Sequence, residues 1–397
     1  MHNALDRPNQ VTESLLLSAI SSQFSGYDPF DSLNSSLLQS SPFYRSEWIR
    51  LAWLQLGKRS PINFRPLLRV PRKRNPKGAG LFISGLLQDY RRTGDTHYIQ
   101  HAHRLADWLL AQRSDQREWS HACWGYHFDW QARAFYVPAG KPNIITTCYV
   151  ARALHELGQV SGDQAMVDVA LDAARFISTH LYTDIDGRSF YAYIPGEKTF
   201  VHNASLWGAA WCAFAGRQFG DEQLVKQALQ VAHQSAKEQA PDGSWVYGAR
   251  HHHQFIDGFH TGYNLEALCL LRDALQTSEF DECIRKGYSY YVSTFFTNDG
   301  TAKYYNDNLY PVDMHSFSQA IFTLLKVGGT AADLALCDKV VRRAIELLYL
   351  PGKGQFIYQK TRWLTNRINY TRWTQAWAYY SLAFYNRYRA EANHAEN

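Results

Sequence analysis

The sequence predicts an all-α fold, an (α/α)6 toroid in which six helical hairpins close into a ring, with short β-hairpins in the long loops at one end. The first observation behind this prediction is a repeated sequence segment, which we call a cassette. It begins with a Gly-containing turn and recurs every 54 to 57 residues, at Asp186-Gly187, Asp242-Gly243, Asp299-Gly300 and Lys353-Gly354. Each cassette ends at a polar pair that starts an apolar helix, at His202-Asn203, His260-Thr261, His315-Ser316 and Tyr370-Thr371. A period of this length is typical of helical repeat proteins.

The second observation is that the helical segments fall into two sets. Six segments are apolar on more than one face and rich in small residues, as buried inner helices are, and they cover approximately 78–92, 143–158, 203–216, 261–275, 316–327 and 371–385. Six others are charged along one face, as outer helices are, and they cover approximately 46–57, 95–112, 163–181, 221–239, 279–296 and 331–349.

The third observation is an alternation of short and long loops. The short loops carry a glycine that ends one helix and an aspartate that caps the next, as in Thr93-Gly94-Asp95, Ser161-Gly162-Asp163 and Phe219-Gly220-Asp221. The long loops hold the Gly-containing turns beside aromatic stretches such as 190–194 and 303–306, a pattern that predicts β-hairpins.

We expect residues 41–390 to form one toroid domain. Residues 1–40 are polar and weakly patterned, and they predict an extended or partly disordered lead-in. The alternative to a closed ring is an open α-solenoid. Closure is favoured because the last apolar helix, ending near Tyr380, lacks the polar outer face that a terminal capping repeat needs.

The composition of the chain indicates which partners it binds and in which cellular compartment it is found. The 41 basic and 36 acidic residues give a net charge of +5, too mild to indicate a nucleic-acid partner. A basic run with three prolines, from Arg65 to Lys77, predicts either a loop that presents cations to an anionic ligand or a solvated connector. Six isolated cysteines favour free thiols in a reducing compartment, and no signal peptide or membrane span is evident, so we expect a cytoplasmic protein.

The functional site is predicted at the long-loop end, where all six inner helices begin and their unpaired N–H groups favour anions and hydroxyl-rich ligands. The candidate catalytic residues are His202, His260, His315, Asp257, Asp313 and Tyr263. The candidate substrate-binding residues are Lys77, Trp124, Tyr126, Asp129, Asn143, Asn203, Asn264, Gln319, Arg367, Arg372 and Gln375.

The strongest indication of a functional site is that a histidine lies before or at the start of three consecutive inner helices. Helix capping does not explain these histidines, because histidine is a mediocre helix cap. Asp257 precedes His260 by three residues and Asp313 precedes His315 by two. A carboxylate within reach of an imidazole fixes its tautomer, as general acid–base catalysis requires. The alternative interpretation is a buried ion pair that orders the loop, with Asn143 acting only as a helix cap.

We expect neither a metal nor a cofactor. The run His251-His252-His253 suggests zinc only weakly, because adjacent histidines in a strand point to opposite faces and no carboxylate or cysteine completes the set. The sequence contains no phosphate-binding loop, no dinucleotide fingerprint and no nucleophile elbow.

Several motifs carry a resemblance to a known family: Phe255-Ile-Asp257-Gly-Phe-His260-Thr-Gly-Tyr263-Asn264, Tyr310-Pro-Val-Asp313 and Arg372-Trp373-Thr-Gln375-Ala376-Trp377. Over roughly 75–385 the chain resembles bacterial polysaccharide biosynthesis proteins of the VpsJ type, from exopolysaccharide and capsule gene clusters. This resemblance implies a role in polysaccharide assembly but carries over no catalytic roles. The architecture is more distantly similar to toroids that act on glycans: unsaturated glucuronyl hydrolases, uronate polysaccharide lyases and the glucuronyl C5-epimerase.

The leading hypothesis is therefore an enzyme that modifies a saccharide, an anionic uronate in particular, by acid–base chemistry during polysaccharide biosynthesis. One alternative is a glycoside hydrolase, which needs two carboxyl groups about 5–5.5 Å or 6.5–9.5 Å apart, with Asp129, Asp257 and Asp313 as candidates. The other is a non-catalytic toroid that binds a glycan or another polysaccharide-assembly enzyme.

Overall fold

The computed structural model describes residues 6–131 and 136–395. Within this part of the chain, thirteen helices have ten or more residues. They are α1 (Asp6–Ser21), α2 (Glu47–Arg59), α3 (Pro76–Thr93), α4 (Thr96–Ala111), α5 (Ile144–Ser161), α6 (Gln164–Phe176), α7 (His202–Phe219), α8 (Glu222–Lys237), α9 (Gly258–Leu275), α10 (Asp281–Thr294), α11 (Met314–Thr323), α12 (Ala331–Leu348) and α13 (Trp377–Ala395). Short π-helical turns extend α6 and α11 at their ends and precede α13, at Ile177–Leu181, Leu324–Gly328 and Thr371–Ala376.

The helices close into an (α/α)6 toroid, which confirms the predicted fold class. The inner helices α3, α5, α7, α9, α11 and α13 each pack against the next, and α13 packs against α3 to complete the ring. Each of α4, α6, α8, α10 and α12 packs outside the inner helix that precedes it, and α1 packs outside α13. The N-terminal helix α1 thus takes the place of an outer helix for the last inner helix, α13.

Two predictions for the N-terminal region are wrong. Residues 6–21 are helical rather than extended, because Val11, Leu15 and Ala19 recur every four residues and form a stripe that is buried on the ring. The segment predicted as the outer helix 46–57 does form a helix, α2. However, α2 contacts the helical turn Asp31–Asn34 and the strand Trp130–Gln131 at the long-loop end instead of packing on an inner helix.

The short loops have the predicted turn chemistry. Gly94, Gly162 and Gly220 end α3, α5 and α7 in the left-handed conformation, with φ of +73°, +72° and +67°. Only glycine adopts this conformation readily. The aspartate after each glycine then accepts a backbone N–H of the following outer helix.

The predicted hairpin at Asp186-Gly187 is present. Strands β3 (Tyr182–Ile185) and β4 (Arg188–Tyr191) pair antiparallel, and both turn residues have positive φ, as a tight hairpin turn requires. The stretch 303–306 forms no strand but makes an isolated bridge between Asp257 and Tyr305. The remaining strands are two residues long: β1 (Trp130–Gln131), β2 (Tyr136–Val137), β5 (Val312–Asp313), β6 (Tyr349–Leu350), β7 (Gln355–Phe356), β8 (Gln359–Lys360) and β9 (Thr365–Asn366).

One large hydrophobic cluster runs around the ring between the inner and outer helices. All six cysteines are free thiols, as predicted, and five of them are buried. Among the described residues, none of the helices has the length and apolar character required to cross a membrane.

Candidate functional site

A pocket of about 520 Å³ opens at the long-loop end of the toroid. The start of every inner helix contributes to its lining, through Lys77, Ile145, Asn203, His260, His315 and Arg372. The walls are strongly aromatic, and most of their rings come from the long loops: Phe30, Tyr126, Phe128, Trp130, Tyr193, Tyr247, Phe255, Phe259, Tyr263, Tyr304, Tyr305 and Trp373. A concave, largely apolar site with a few convergent polar groups is typical of small-ligand pockets.

An imidazole–carboxylate pair lies in this pocket. Asp257 caps α9 by accepting the backbone N–H of His260 at 2.8 Å, and its other oxygen lies 2.7 Å from His260 Nδ1. The carboxylate is 1% exposed, whereas the imidazole is 21% exposed and lines the pocket. Because Asp257 accepts only from a protonated nitrogen, it assigns the proton to Nδ1 and leaves the lone pair on Nε2. The predicted pairing of these two residues is confirmed.

A second imidazole is paired with a tyrosine. The Tyr263 hydroxyl is hydrogen-bonded to His315 Nε2, and both side chains are buried. The His315 ring stacks on Phe259 and Trp377, with centroid distances of 4.8 and 4.6 Å. Burial lowers the pKa of His315 well below its ordinary value, and burial also raises the pKa of Tyr263. Both groups are therefore uncharged at neutral pH, and the hydroxyl of Tyr263 still carries the proton that an acid catalyst must donate.

Lys77 lines the pocket and is only 4% exposed. Its Nζ lies 4.4 Å from the ring centroid of Tyr149 and 5.2 Å from that of Trp377. Among the described residues, no carboxylate lies within 4 Å of this amine. Burial lowers the pKa of Lys77 well below its ordinary value, while the aromatic faces favour the ammonium form. An anionic ligand group would complete this site, because it would stabilise the protonated form of the amine.

Arg372 also lines the pocket, but its charge is already neutralised. Its guanidinium donates two hydrogen bonds to Asp28, from Nε at 2.6 Å and from NH2 at 2.8 Å. Asp28 is held in turn by the N-terminal segment, where its backbone N–H donates to Asp31 at 2.8 Å. The guanidinium packs 5.0 Å from the ring of Tyr126. The N-terminal segment thus forms part of the wall of the site.

The structure brings eight of the predicted site residues to the pocket: Lys77, Tyr126, Asn203, Asp257, His260, Tyr263, His315 and Arg372. The other nine do not line it: Trp124, Asp129, Asn143, His202, Asn264, Asp313, Gln319, Arg367 and Gln375.

His202 is the main correction, because the three predicted histidines do not meet at one site. Its ring is 1% exposed and packs against Phe200, with ring centroids 4.6 Å apart. The nearest carboxylate oxygen, on Glu238, lies 3.9 Å away. Burial lowers the pKa of His202 to about 3, so the ring is a neutral core group.

Asp313 is a second correction. It accepts the backbone N–H of His315 at 2.7 Å and so caps α11, but it does not bond to the His315 ring, whose Nδ1 has no hydrogen-bond partner among the described residues. Asp313 is fully buried, and burial raises its pKa to about 7. The predicted Asp313–His315 pair is therefore a capping interaction and not an imidazole–carboxylate pair.

Several other predicted binding residues have structural roles. Trp124 is fully buried and donates its Nε1–H to the carbonyl of Leu109 at 2.8 Å. Gln375 holds the backbone of Phe356 from both sides, at 2.9 and 2.7 Å. Arg367 is exposed away from the pocket.

Three more of the predicted binding residues also form contacts within the protein and do not line the pocket. Asn143 caps α5, in line with the capping alternative raised from the sequence. Gln319 lies inside the ring and donates to Glu266 at 3.3 Å. Asp129 accepts the hydroxyl of Tyr44 at 2.5 Å and ties two loops together outside the pocket.

The pocket also contains polar residues that were not predicted. Glu197 accepts from Arg250 at 3.1 Å and from the hydroxyl of Thr199. His252 and His253 lie beside them. Glu197 and Arg250 come from two different long loops, so no spacing in the sequence signalled their approach.

The fold defines a class, that of the (α/α)6 toroids, and several solved structures of glycan-active enzymes are similar to the chain. An unsaturated glucuronyl hydrolase specific for heparin matches with a TM-score of 0.64 at 11% identity, covering 99% of this chain and 98% of that chain. Cellobiose 2-epimerase from Bacillus thermoamylovorans matches with a TM-score of 0.61 at 14% identity, covering 79% and 88%. A GH76 α-mannanase from Bacteroides thetaiotaomicron matches with a TM-score of 0.61 at 11% identity, covering 80% and 87%.

At these identities the likeness establishes the fold. No protein-family model matches the sequence, and no curated protein matches it significantly.

Proposed function

We propose that this protein is a carbohydrate-active enzyme that moves protons at a carbon atom of a uronate-containing saccharide, as an epimerase or a lyase does. The observation that carries the proposal is the imidazole of His260, oriented by Asp257 and facing a pocket that also holds the uncharged Tyr263–His315 pair. The structural neighbours, which include proteins named as epimerases, a glucuronyl hydrolase and a polysaccharide lyase, support a glycan-modifying role.

In this proposal His260 is the general base. Its Nε2 removes a proton from the carbon next to the uronate carboxylate, and Asp257 stabilises the imidazolium that forms. Lys77 faces the carboxylate and stabilises the negative charge that develops on it when the proton leaves.

Tyr263 is the general acid in this proposal, and His315 supports it. The raised pKa of Tyr263 keeps its proton on the hydroxyl at neutral pH, so the hydroxyl can donate to the substrate. When the neutral His315 carries its proton on Nε2, it donates a hydrogen bond to the same oxygen and stabilises the tyrosinate that remains after Tyr263 has given up its proton. Delivery to the carbon gives epimerisation, and delivery to a leaving oxygen gives elimination.

The hydrolase alternative has less support. Two of its three predicted carboxylates, Asp129 and Asp313, lie away from the pocket. Among the described residues, the carboxylates that line the pocket are Glu197 and Asp257. Each is already bonded to a neighbour, Glu197 to Arg250 and Asp257 to His260.

The biological setting is part of the same proposal. The motif resemblance to VpsJ-type proteins supports a role in exopolysaccharide or capsule biosynthesis, beside other assembly enzymes. The isolated free cysteines support a reducing, cytoplasmic location.

Proton transfer is tested by incubating the protein with uronate-containing oligosaccharides in D2O and following the products by NMR and mass spectrometry. We expect deuterium at the carbon next to the carboxylate, with an inverted or an unsaturated sugar. His260→Gln and Asp257→Asn should reduce the exchange rate by about 10²–10⁴-fold, the usual contribution of a general base.

The matched control is His233→Gln, because His233 also bonds to a carboxylate, Glu279 at 2.9 Å, but lies on the surface. This variant should keep the wild-type rate. Hydrolysis without exchange would instead identify a glycosidase. Tight binding with neither reaction would identify a non-catalytic glycan-binding toroid.

A further inference from the structure

Large apolar side chains are exposed on one surface beside the mouth of the pocket. They lie on α2, on the loop that follows it, and on the hairpin formed by β8 and β9. We call this surface the apolar–basic face, and its exposed apolar members are Trp48 (80% exposed), Leu56 (56%), Ile62 (62%), Phe64 (39%), Leu67 (75%), Trp363 (82%) and Leu364 (56%). Such side chains clustered together, rather than scattered singly, mark an interaction surface.

The members of this face are neighbours in space. Trp48, Leu56 and Arg59 are spaced so that they share one side of α2, and all three are exposed. The hairpin lies against the end of α2, where the Asn366 side chain donates to the carbonyl of Ser60 at 3.0 Å. The outward side of α2 is therefore largely apolar, and its C-terminal end lies beside the hairpin that carries Trp363 and Leu364.

The same segments concentrate positive charge. Residues 42–74 and 359–367 contain 12 of the 41 basic residues and 1 of the 36 acidic residues, a net charge of +11. The rest of the chain, with 29 basic and 35 acidic residues, carries −6. Among the described residues, Arg65 is the only one of these twelve that has a carboxylate within 4 Å, that of Asp31. Eleven of the twelve basic side chains therefore form no ion pair within the part of the chain that the structure describes.

We propose that the apolar–basic face docks on the surface of a membrane that contains anionic lipids. Tryptophan and aliphatic side chains enter the boundary between headgroups and acyl chains, and arginine and lysine attract the anionic headgroups. The exposed aliphatic residues Leu56, Ile62 and Leu67 favour a bilayer over an anionic polysaccharide, because a sugar offers hydroxyl groups that such side chains cannot bond.

The position of the face has a consequence for access to the pocket. Lys58 near the end of α2 lines the pocket, with its Nζ 4.7 Å from the ring centroid of Phe30, which lines it as well. Docking through the apolar–basic face brings the mouth of the pocket to the membrane surface. A saccharide held at that surface by a lipid anchor can then enter the pocket directly.

Binding is tested by sedimentation with vesicles of phosphatidylcholine, with and without phosphatidylglycerol, across a range of salt concentrations. We expect the full chain to bind the phosphatidylglycerol vesicles and to be released by salt, while pure phosphatidylcholine binds it weakly. The double variant Arg59→Glu with Arg362→Glu should lower the partition coefficient by about 25-fold or more, since each basic residue near an anionic surface contributes about fivefold.

A second variant tests the apolar part. Trp48→Ser with Trp363→Ser should reduce binding and abolish the quenching of tryptophan fluorescence by brominated lipids. The matched control, Arg217→Glu with Phe219→Ser, changes an exposed basic and an exposed aromatic residue at the short-loop end and should bind like the wild type. Thermal melting of each variant checks that these surface changes leave the fold intact.

Three results would overturn the proposal. The first is equal vesicle binding by the wild type and both face variants. The second is salt-sensitive binding to an anionic polysaccharide without vesicle binding, which would assign the face to a glycan. The third is a dimer in analytical ultracentrifugation that dissociates in the tryptophan variant, which would assign the face to a second copy of the chain.

Discussion

At the scale of single residues, the three histidines show that the position of a residue along its helix decides whether its side chain reaches the pocket. His202 is the first residue of α7, His315 the second of α11 and His260 the third of α9. A shift of one residue rotates a side chain by about 100° around the helix. Positions that look equivalent in the sequence therefore point in different directions, which is why two imidazoles reach the pocket and the third is buried in the core.

The buried carboxyl group of Asp313 leads to a prediction about stability and pH. Burial raises its pKa from 3.8 to about 7, so the folded protein holds a proton that the unfolded chain has lost in this range. The free energy of unfolding therefore falls as the pH rises from about 4 to above 7. Asp313→Asn keeps the cap and removes the ionisation, so it should be more stable than the wild type at pH above about 7, by at most about 4 kcal/mol.

The measurement is the melting temperature of both proteins across the pH range. The variant should gain most above neutral pH and little near pH 4. A constant difference between the two proteins at all pH values would show that ionisation of Asp313 is not responsible.

At the scale of elements, the N-terminal helix completes the ring. The helix α1 buries Val11, Leu15, Leu16 and Ala19 against the toroid, so the outside of α13 is covered as the outsides of the other inner helices are. The polar remainder of α1 masked this stripe in the sequence. In contrast, α2 keeps an apolar stripe exposed, because its buried residue, Leu54, packs with the loops at the rim.

Two leucines of α1, two residues apart, test this assignment. Leu15 is 3% exposed, whereas Leu17 is 61% exposed. Leu15→Ala should lower the free energy of unfolding by about 2–5 kcal/mol, the usual result of truncating a buried leucine. Leu17→Ala should change it by about 0.5 kcal/mol or less. Chemical denaturation of both variants measures the difference, and similar losses in the two would show that α1 does not pack on the ring in solution.

At the scale of the whole molecule, ion pairs between the N-terminal segment and the rest of the chain hold the site wall in place. Asp28 bonds to Arg372 at the start of the last inner helix. Asp31 bonds to Arg65 at 2.5 Å, and Arg65 also donates to the hydroxyl of Tyr370 at 3.0 Å. All of these side chains are nearly or completely buried, so each carboxylate is the counter-charge that makes burial of its arginine tolerable.

Removing one carboxylate tests this account. Asp28→Ala leaves the guanidinium of Arg372 buried without a counter-charge, and it should lower the free energy of unfolding by about 3–5 kcal/mol. The control is Asp273→Ala, which breaks an exposed pair with Arg272 at 2.8 Å and should lower it by about 1 kcal/mol or less. Denaturation curves of the two variants give the comparison, and equal losses would show that the buried pair is not a principal contact.

The sequence by itself determined the repeat, the short-loop turns and the pairing of Asp257 with His260, because each of these depends on residues close together along the chain. Tertiary structure alone decided which histidines reach the pocket, the approach of Glu197 to Arg250 and the bond between Asp28 and Arg372, which are 344 residues apart. Ring closure sets these contacts, since it joins the starts of all inner helices at one rim and fixes the direction in which each side chain points.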